Sequence, residues 1–135
     1  MYVLSRALVN SRVSHHGLLC DLFPDYAGWC GKQKGETHAP DDGFYKIVQH
    51  EPIGVCAAVT AWNGSLHFFG FKVAPAVATG NAVIIKPSEK CPLSTLACAY
   101  LAEAAGFPPG IIQAVAGKLM TLYRTVNYIS HCLRR

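Results

Sequence analysis

The chain has 135 residues, 51% of them hydrophobic, which is enough to build the core of one small domain. Its net charge of +4 comes from the two ends, because residues 1–20 and 118–135 hold six of the twelve Lys and Arg and none of the eight Asp and Glu. A nucleic-acid-binding domain usually carries its basic residues on the folded part, so we expect no nucleic-acid partner. No apolar run reaches the roughly 18 residues that a membrane span needs, so we expect no membrane partner.

The two ends differ in composition from the middle of the chain. Residues 1–20 contain Arg, Ser and apolar side chains without an acid, as mitochondrial presequences do; a chance start of a truncated reading frame is the other interpretation. The end of the chain has an apolar seam that predicts at most an amphipathic helix, formed by Leu119, Leu122, Val126, Ile129 and Leu133. The expected domain is therefore 21–117, with 1–20 unassigned and 118–135 a basic tail.

The six cysteines are expected to be reduced thiols. They contain no Cys-x-x-Cys pair, and with the six His they complete no zinc-ligand spacing, so no metal site is predicted. Cys56 and Cys98 fall inside predicted buried elements, where thiols behave as small apolar side chains. We identify no signal peptide, so these features favour a reducing compartment, the cytoplasm, with mitochondria as the alternative.

Before residue 50 the pattern of the sequence is weak. Asp21–Gly31 has the character of a helix end, with Gly28 or Gly31 as the terminating residue. Lys32–Gly43 is polar and contains Gly and Pro, so it is predicted to be a connecting loop. Phe44–His50 alternates weakly between apolar and polar residues and is predicted to be an edge strand.

From residue 50 to residue 117, three apolar runs rich in β-formers alternate with two helical segments. The predicted strands are Ile53–Ala61, Ala82–Ile85 and Ile111–Val115, and the predicted helices are Leu66–Thr79 and Pro92–Ala105. This alternation predicts an α/β fold, a βαβαβ unit that is part of a doubly wound parallel sheet. The first run is almost wholly apolar, which predicts a strand buried on both faces. Gly80 and Gly106 are expected to end the helices, and Pro75 to kink or restart the first one.

Polar residues follow the first two predicted strands, and ligands of open parallel sheets bind at the carboxyl ends of the strands. Trp62-Asn63 follows the first strand, and Lys86-Pro87-Ser88-Glu89 follows the second. A lysine in this place can reach a phosphate or ribose hydroxyls, and a carboxylate three residues later can accept from both hydroxyls of a ribose. Each feature alone is more often a solvated turn, and the chain has no glycine-rich dinucleotide fingerprint and no P-loop.

Taken together and in this order, several stretches resemble the NAD(P)-dependent aldehyde dehydrogenase family. They are HEPIGVCAAVTAWN, PAVATGNAVIIKPSEKCPLS and LAEAAGFPPGIIQAVAG. The preceding YAGWCGKQKGETHAPDDGFYKIVQHEP is similar to the segment that leads from a helix into strands of the family's oligomerisation region. The resemblance covers residues 21–117 and implies the N-terminal half of a Rossmann-like cofactor-binding domain.

The resemblance also implies a set of site residues, which are Thr60, Ala61, Trp62, Asn63, Lys86, Ser88 and Glu89. Asn63 corresponds to the asparagine of the oxyanion hole, and the residues before it would line the cofactor cleft. Lys86 and Glu89 correspond to the pair that contacts the adenosine ribose, and the acid favours NAD over NADP because it would repel a 2′-phosphate. Gly64-Ser65 stands where the family usually has an aromatic residue and a proline.

The family oxidises aldehydes to carboxylates through a cysteine thiohemiacetal, hydride transfer to the nicotinamide and a glutamate base. In the family, that cysteine and that glutamate follow the segment that matches here, and no cysteine of this chain stands in the nucleophile motif. We therefore expect a family fragment that is inactive by itself. Two other interpretations stay open: a non-catalytic nucleotide- or partner-binding fragment that pairs with full-length subunits through a strand edge, and an unstable product of a truncated reading frame.

Overall fold

The computed structural model describes residues 14–118, and the side chains of residues 19–118. Its elements, in chain order, are α1 (Ser14–Trp29), β1 (Glu36–His38), β2 (Lys46–Val48), β3 (Val55–Val59), a 3-10 turn (Trp62–Gly64), α2 (Ser65–Ala78), β4 (Ala82–Lys86), α3 (Leu93–Ala104) and β5 (Ile112–Ala114). The predicted amphipathic tail helix lies outside the described residues. Helix α1 crosses residue 20, and Leu19 belongs to the core; the predicted division at residues 20 and 117 stays a prediction.

Strands β3, β4 and β5 form a parallel sheet in that order, which confirms the predicted βαβαβ unit. The central strand is β4, and its residues from Val83 to Lys86 are all buried. The prediction that the run Ile53–Ala61 is buried on both faces is wrong. Within the described residues β3 pairs with β4 alone, and Val59 is 47% exposed. An apolar run indicates a strand, but the order of strands in the sheet decides how much of it is covered.

Helices α2 and α3 pack on the same face of β4. The shared core consists of Phe69 and Val73 from α2, Cys98 and Ala102 from α3, and Val83 and Ile85 from β4. Side chains alternate between the two faces of a strand, so Val83 and Ile85 both lie on the face of β4 that the helices cover. The two helices therefore cover one face of the sheet.

Both connecting helices end at the glycine that the sequence predicted. Gly80 and Gly106 have φ values of 81° and 89°, which favour glycine. The following residues donate back across each turn, Asn81 N–H to the Ala76 carbonyl over 3.0 Å and Phe107 N–H to the Ala102 carbonyl over 3.1 Å. These are Schellman motifs, and they set the start of β4 and the turn toward β5.

Helix α2 runs through Pro75 as a single helix, so of the two predicted outcomes, a kink or a restart, the restart is wrong. Proline leaves the carbonyl of Phe71 without its usual donor. The helix nevertheless continues to Ala78.

Helix α1 packs on α2 at Gly70. A Cβ atom on Gly70 would lie 2.6 Å from Cδ1 of Leu19, so the missing side chain is what allows the two helices to approach. The rings of Phe23 and Phe69 pack beside this contact with their centroids 6.3 Å apart. Helix α1 ends at Trp29, between the two glycines that the sequence offered as its end.

Strands β1 and β2 form a second, antiparallel sheet, called the ribbon below, in which Thr37 is opposite Ile47. The predicted edge strand in Phe44–His50 is confirmed, since it contains β2. The predicted loop across Lys32–Gly43 is wrong, since it contains β1. The residues of β1 are polar and all exposed, so no apolar alternation marked this strand, and its pairing with β2 defines it.

Candidate functional site

The two polar clusters that the sequence predicted at strand ends lie side by side at the carboxyl edge of the parallel sheet. Val59 is opposite Lys86 in the register of β3 and β4. The backbone N–H of Thr60 donates to the Lys86 carbonyl over 3.0 Å, so the pairing continues to the last residue of β4. This is the edge at which parallel sheets bind their ligands.

The ammonium group of Lys86 is buried at this edge, with 5% of its side chain exposed. Its Nζ donates to the Pro87 carbonyl over 3.1 Å and to Glu89 Oε1 over 3.4 Å. An ammonium has three donors, so these two described acceptors leave one N–H for a ligand. The side chain of Glu89 is 60% exposed, so its carboxylate can accept further hydrogen bonds from a ligand.

The hydroxyl of Thr60 has no hydrogen-bond partner among the described residues, although the residue is buried. Val59 lies opposite Lys86 in the register of β3 and β4, so Thr60, the next residue, faces the side of the sheet that the helices cover. A spare ammonium donor and an accessible carboxylate together suit a group that carries several hydroxyls. The adenosine ribose of a nicotinamide nucleotide is such a group, so these residues fit the cofactor.

The turn that follows Val59 presents the remaining predicted residues to solvent. Trp62 is 60% exposed, and Nζ of Lys90 lies 5.6 Å from its ring centroid, a cation–π contact that joins the two clusters. Ala61 and Asn63 are exposed, and no described residue hydrogen-bonds the amide of Asn63. The position of Lys90 after Glu89 was visible in the sequence, but no local pattern indicated that it reaches Trp62.

Ser88 contributes to the turn that presents Lys86 and Glu89. Its Oγ accepts from the Lys90 N–H over 3.3 Å, and its carbonyl accepts from the Cys91 N–H over 3.2 Å. The hydroxyl proton of Ser88 is left to donate, and the residue is half-buried. Its first role is therefore to shape the turn.

All five cysteines in the described part of the chain are free thiols. Burial raises the pKa of the Cys98 thiol to about 11. Burial, followed by the charge of Asp21, raises the pKa of Cys20 as well. Nucleophilic cysteines have lowered pKa values, so neither Cys20 nor Cys98 has the character of a nucleophile.

No three His, Cys, Asp or Glu side chains between residues 19 and 118 are grouped so that they could hold a metal ion. The helices between residues 14 and 118 are also too short or too polar to cross a membrane.

Comparison with known proteins identifies the relatives of this chain. The model of the aldehyde dehydrogenase family matches residues 6–127. Omega-crystallin of Enteroctopus dofleini is 42% identical over 92 residues, which are 68% of this chain and 18% of that protein. Aldehyde dehydrogenase 1A1 of Equus caballus is 46% identical over 91 residues, which are 67% of this chain and 18% of that protein. The chain thus spans 18% of the length of these curated relatives.

The fold agrees with that of solved family members. The crystal structure of PnpE in complex with nicotinamide adenine dinucleotide is 35% identical and superposes with a TM-score of 0.75, over 86% of this chain and 26% of that chain. The parallel sheet with its two helices is therefore part of a Rossmann-like domain, as the resemblance in the sequence implied. With the family model matched over most of its length, the chain belongs to the aldehyde dehydrogenase family.

Proposed function

We propose that this chain supplies the adenosine-ribose half of an NAD site in an enzyme that oxidises small aldehydes. The observation that carries the proposal is the buried Lys86 ammonium, 3.4 Å from the Glu89 carboxylate, at the carboxyl edge of the parallel sheet. In this proposal Lys86 donates to one ribose hydroxyl and Glu89 accepts from one or both. The wall of the cleft consists of Trp62, Ala61 and the backbone of Thr60, and Ser88 holds the turn.

The preference for NAD over NADP is proposed to come from Glu89. Its carboxylate would repel a 2′-phosphate on the ribose that it contacts, because like charges at close range oppose each other. The side chain is largely exposed, so solvent and salt screen this repulsion and the preference is moderate. When bound, the nicotinamide ring accepts the hydride that leaves the aldehyde carbon.

Asn63 is proposed to be the oxyanion donor. When a nucleophile adds to an aldehyde, negative charge develops on the carbonyl oxygen, and an amide N–H aimed at that oxygen stabilises it. The amide of Asn63 is exposed and no described residue occupies it. It lies in the turn between β3 and α2, close to the ends of two elements that are both anchored in the sheet layer.

These 135 residues by themselves are proposed to bind the nucleotide without turning over an aldehyde. The covalent step needs a thiolate nucleophile near Asn63, and the hydrolytic step needs a carboxylate that activates water. The pKa of Cys98 is raised by burial, and that of Cys20 by burial and by Asp21. Cys91 is half-buried beside Ser65. In the family, the nucleophile and the base come from another part of the polypeptide.

A second candidate function, association with full-length subunits, has one observation in its favour. In the described part of the chain β3 pairs on one side, and Ala57 and Val59 are exposed along it. The free N–H and C=O groups of such an edge can accept another strand. The free state of all five described cysteines supports a reducing compartment, the cytoplasm or the mitochondrial matrix.

Isothermal titration calorimetry of NAD with the purified chain tests the ribose site. Lys86→Ala and Glu89→Ala each remove a charged hydrogen-bond partner, so we expect each to weaken binding by about 10- to 150-fold. Lys72→Ala and Glu103→Ala are matched controls, because they remove exposed charges from α2 and α3 and are expected to bind as the unmodified chain does. Binding that persists in both site variants would overturn the ribose site.

Two further measurements separate the remaining parts of the proposal. Glu89→Gln removes the repulsive charge but keeps an acceptor, so it is expected to narrow the ratio of NAD to NADP affinity; an unchanged ratio would contradict the role of Glu89. Light scattering of the chain mixed with a full-length family member tests association. Particles larger than either component would favour the partner-binding function.

A further inference from the structure

Ser65, the first residue of α2, links the two halves of the candidate site through its side chain. The residue is buried, and its Oγ lies 2.7 Å from Oγ of Ser94 in the first turn of α3. The thiol of Cys91 lies 3.7 Å from the Ser65 oxygen and 4.0 Å from that of Ser94. We call these three side chains the Ser65 junction.

The junction lies between the two segments that carry the site residues. Ser65 comes two residues after Asn63, at the end of the turn that follows β3. Cys91 and Ser94 come directly after the turn that holds Lys86 and Glu89. The same two segments touch at two other places, the backbone hydrogen bond from Thr60 at the strand ends and the exposed cation–π contact of Trp62 with Lys90.

Among these three links, the Ser65 junction is the partly buried one that side chains form. Two hydroxyls at 2.7 Å share a short hydrogen bond, and removing either one leaves the other with only the weaker contact to the Cys91 thiol. The backbone link fixes the strand ends, but the turn after β3 continues beyond it through exposed residues. The junction therefore holds the far end of that turn.

The hydroxyl is also a departure of this chain from the pattern that its family usually has. Gly64-Ser65 stands where the resemblance places an aromatic residue and a proline. A proline fixes the backbone through its ring and has no side-chain donor. A serine leaves the backbone freer, and here its hydroxyl contacts α3 instead.

We propose that Ser65 is a positioning residue that, through Ser94, holds the Asn63 turn in register with the Lys86–Glu89 turn. The Asn63 amide and the Lys86–Glu89 pair are thereby held in a fixed position relative to each other. Cys91 packs against the pair and limits its movement. This inference rests on the proposed function for its consequence, but the coupling between the two turns is a property of the chain whether or not it binds NAD.

Nuclear magnetic resonance of the isotope-labelled chain, together with NAD calorimetry, tests this coupling. In Ser94→Ala we expect the side-chain amide resonance of Asn63 to move, although residue 94 is 31 positions away in sequence. We expect NAD affinity to fall by about 2- to 12-fold, the effect of one neutral hydrogen bond. Ser65→Ala should give the same changes, and the double variant should add little, because both single changes break one bond. Ser94→Thr, which keeps the hydroxyl, should restore both readouts.

The matched control is Thr79→Ala at the opposite end of α2, where the hydroxyl donates to the Pro75 carbonyl over 2.9 Å. This variant weakens the same helix but lies away from the candidate site. We therefore expect it to lower the melting temperature and to leave the Asn63 resonance in place. An Asn63 resonance that is unmoved in both alanine variants would overturn the proposal.

Should the alanine variants fail to fold, Cys91→Val alters the packing around the hydroxyl pair without deleting it. A smaller movement of the Asn63 resonance would then support the coupling, and no movement would refute it. If the resonance moves but the unmodified chain binds no NAD, the proposed function fails and the junction stands.

Discussion

The parallel sheet and the ribbon are two sheets of one chain that are stabilised in different ways. In the parallel sheet, β4 lies beneath two helices and Ile85 is completely buried. In the ribbon, all six strand residues are exposed, and the neighbouring Tyr45 is 82% exposed. The parallel sheet makes its own core from consecutive βαβ units, whereas within the described residues the ribbon is held mainly by cross-strand hydrogen bonds. A two-stranded ribbon of that kind is marginal in water.

The stability of the described chain therefore lies in the sheet layer, and the ribbon should open locally before the rest unfolds. Within residues 14–118, β3 has one unpaired edge, and Val59 on it is about half exposed. A domain of this size also buries only about two-thirds of its unfolded surface. We expect a marginal or aggregation-prone monomer. A sharp, cooperative thermal transition of the isolated monomer would contradict that expectation.

The largest effect is expected from Phe69→Ala in the sheet layer. Phe69 is fully buried, and its ring packs against Phe23 and the core residues of β4. Deleting the ring leaves a cavity and lowers the free energy of unfolding by about 3–5 kcal/mol, enough to abolish the folding transition of a marginal domain. Tyr45→Ala removes a ring of similar size next to the ribbon, and we expect a change of about 0.5 kcal/mol or less. Urea unfolding measures both; equal losses would show that the ribbon is part of the same core.

A smaller effect is expected from the ionisation of Cys98, which makes the stability of the sheet layer depend on pH in the alkaline range. Burial raises its pKa from 9.0 to about 11, so the unfolded chain releases the thiol proton near pH 9 while the folded chain keeps it. The contribution of the protonated Cys98 thiol to the free energy of unfolding is complete below pH 9. It is lost as the pH rises from 9 to about 11, and the loss is about 2–3 kcal/mol at most.

Urea unfolding at pH 8 and pH 10.5, with Cys98→Val as the control, measures this loss. The valine fills a similar volume and does not titrate, so tyrosine and lysine ionisation remain as the common background. A pH dependence that is identical in the two proteins would contradict the assignment to Cys98.

Asn81→Ala is expected to weaken the connection between α2, β3 and β4. The buried amide of Asn81 accepts from the Gly54 N–H over 2.9 Å and donates to the Ala76 carbonyl over 3.2 Å. Alanine would remove the acceptor of the Gly54 N–H, while the Ala76 carbonyl keeps its hydrogen bond from the backbone N–H of residue 81, so we expect a loss of about 1 kcal/mol in the free energy of unfolding. Gln113→Ala is the matched control, since it removes an exposed amide that bonds the nearby Gly110 carbonyl. An equal decrease in the free energy of unfolding in the two variants would show that Asn81 does not connect α2, β3 and β4.

Structural features that depend on neighbouring residues were predicted from the sequence. Features that depend on contacts between residues far apart in the chain were missed. Gly80 and Gly106 end their helices because a positive φ is a local requirement. The edge position of β3 was missed because strand order depends on packing, and β1 was missed because its polar residues become a strand through pairing with β2.

The same distinction applies to the site. Trp62-Asn63 and Lys86 were expected at the carboxyl ends of the first two strands, where ligands of parallel sheets bind. The bond between Ser65 and Ser94 spans 29 positions and has no local signature. For Asn81, the available signal was its place directly after a helix-ending glycine, where a side chain that bonds backbone groups is common.

The smallest effect is expected at Asp42, next to the ribbon. Its Oδ2 lies 2.6 Å from Nζ of Lys46. This contact, together with the Phe44 N–H, lowers the pKa of Asp42 below its ordinary 3.8. Because the pKa of Asp42 is lowered on folding, the ionised carboxylate contributes to stability above its ordinary pKa. This contribution is lost as the pH falls through the lower pKa of the folded state. Both side chains are about half exposed, so solvent and salt screen the pair.

Hydrogen exchange of individual amides measures this effect, because it reports the ribbon and the sheet separately. We expect Asp42→Asn at pH 6 to speed the exchange of the Lys46 and Val48 amides relative to their intrinsic rates, and to leave the amides of β4 unchanged. The difference should shrink in high salt, since an exposed ion pair is screened. If the amides of β4 lose protection as well, the ribbon and the parallel sheet unfold as one unit, and the division of stability between them is wrong.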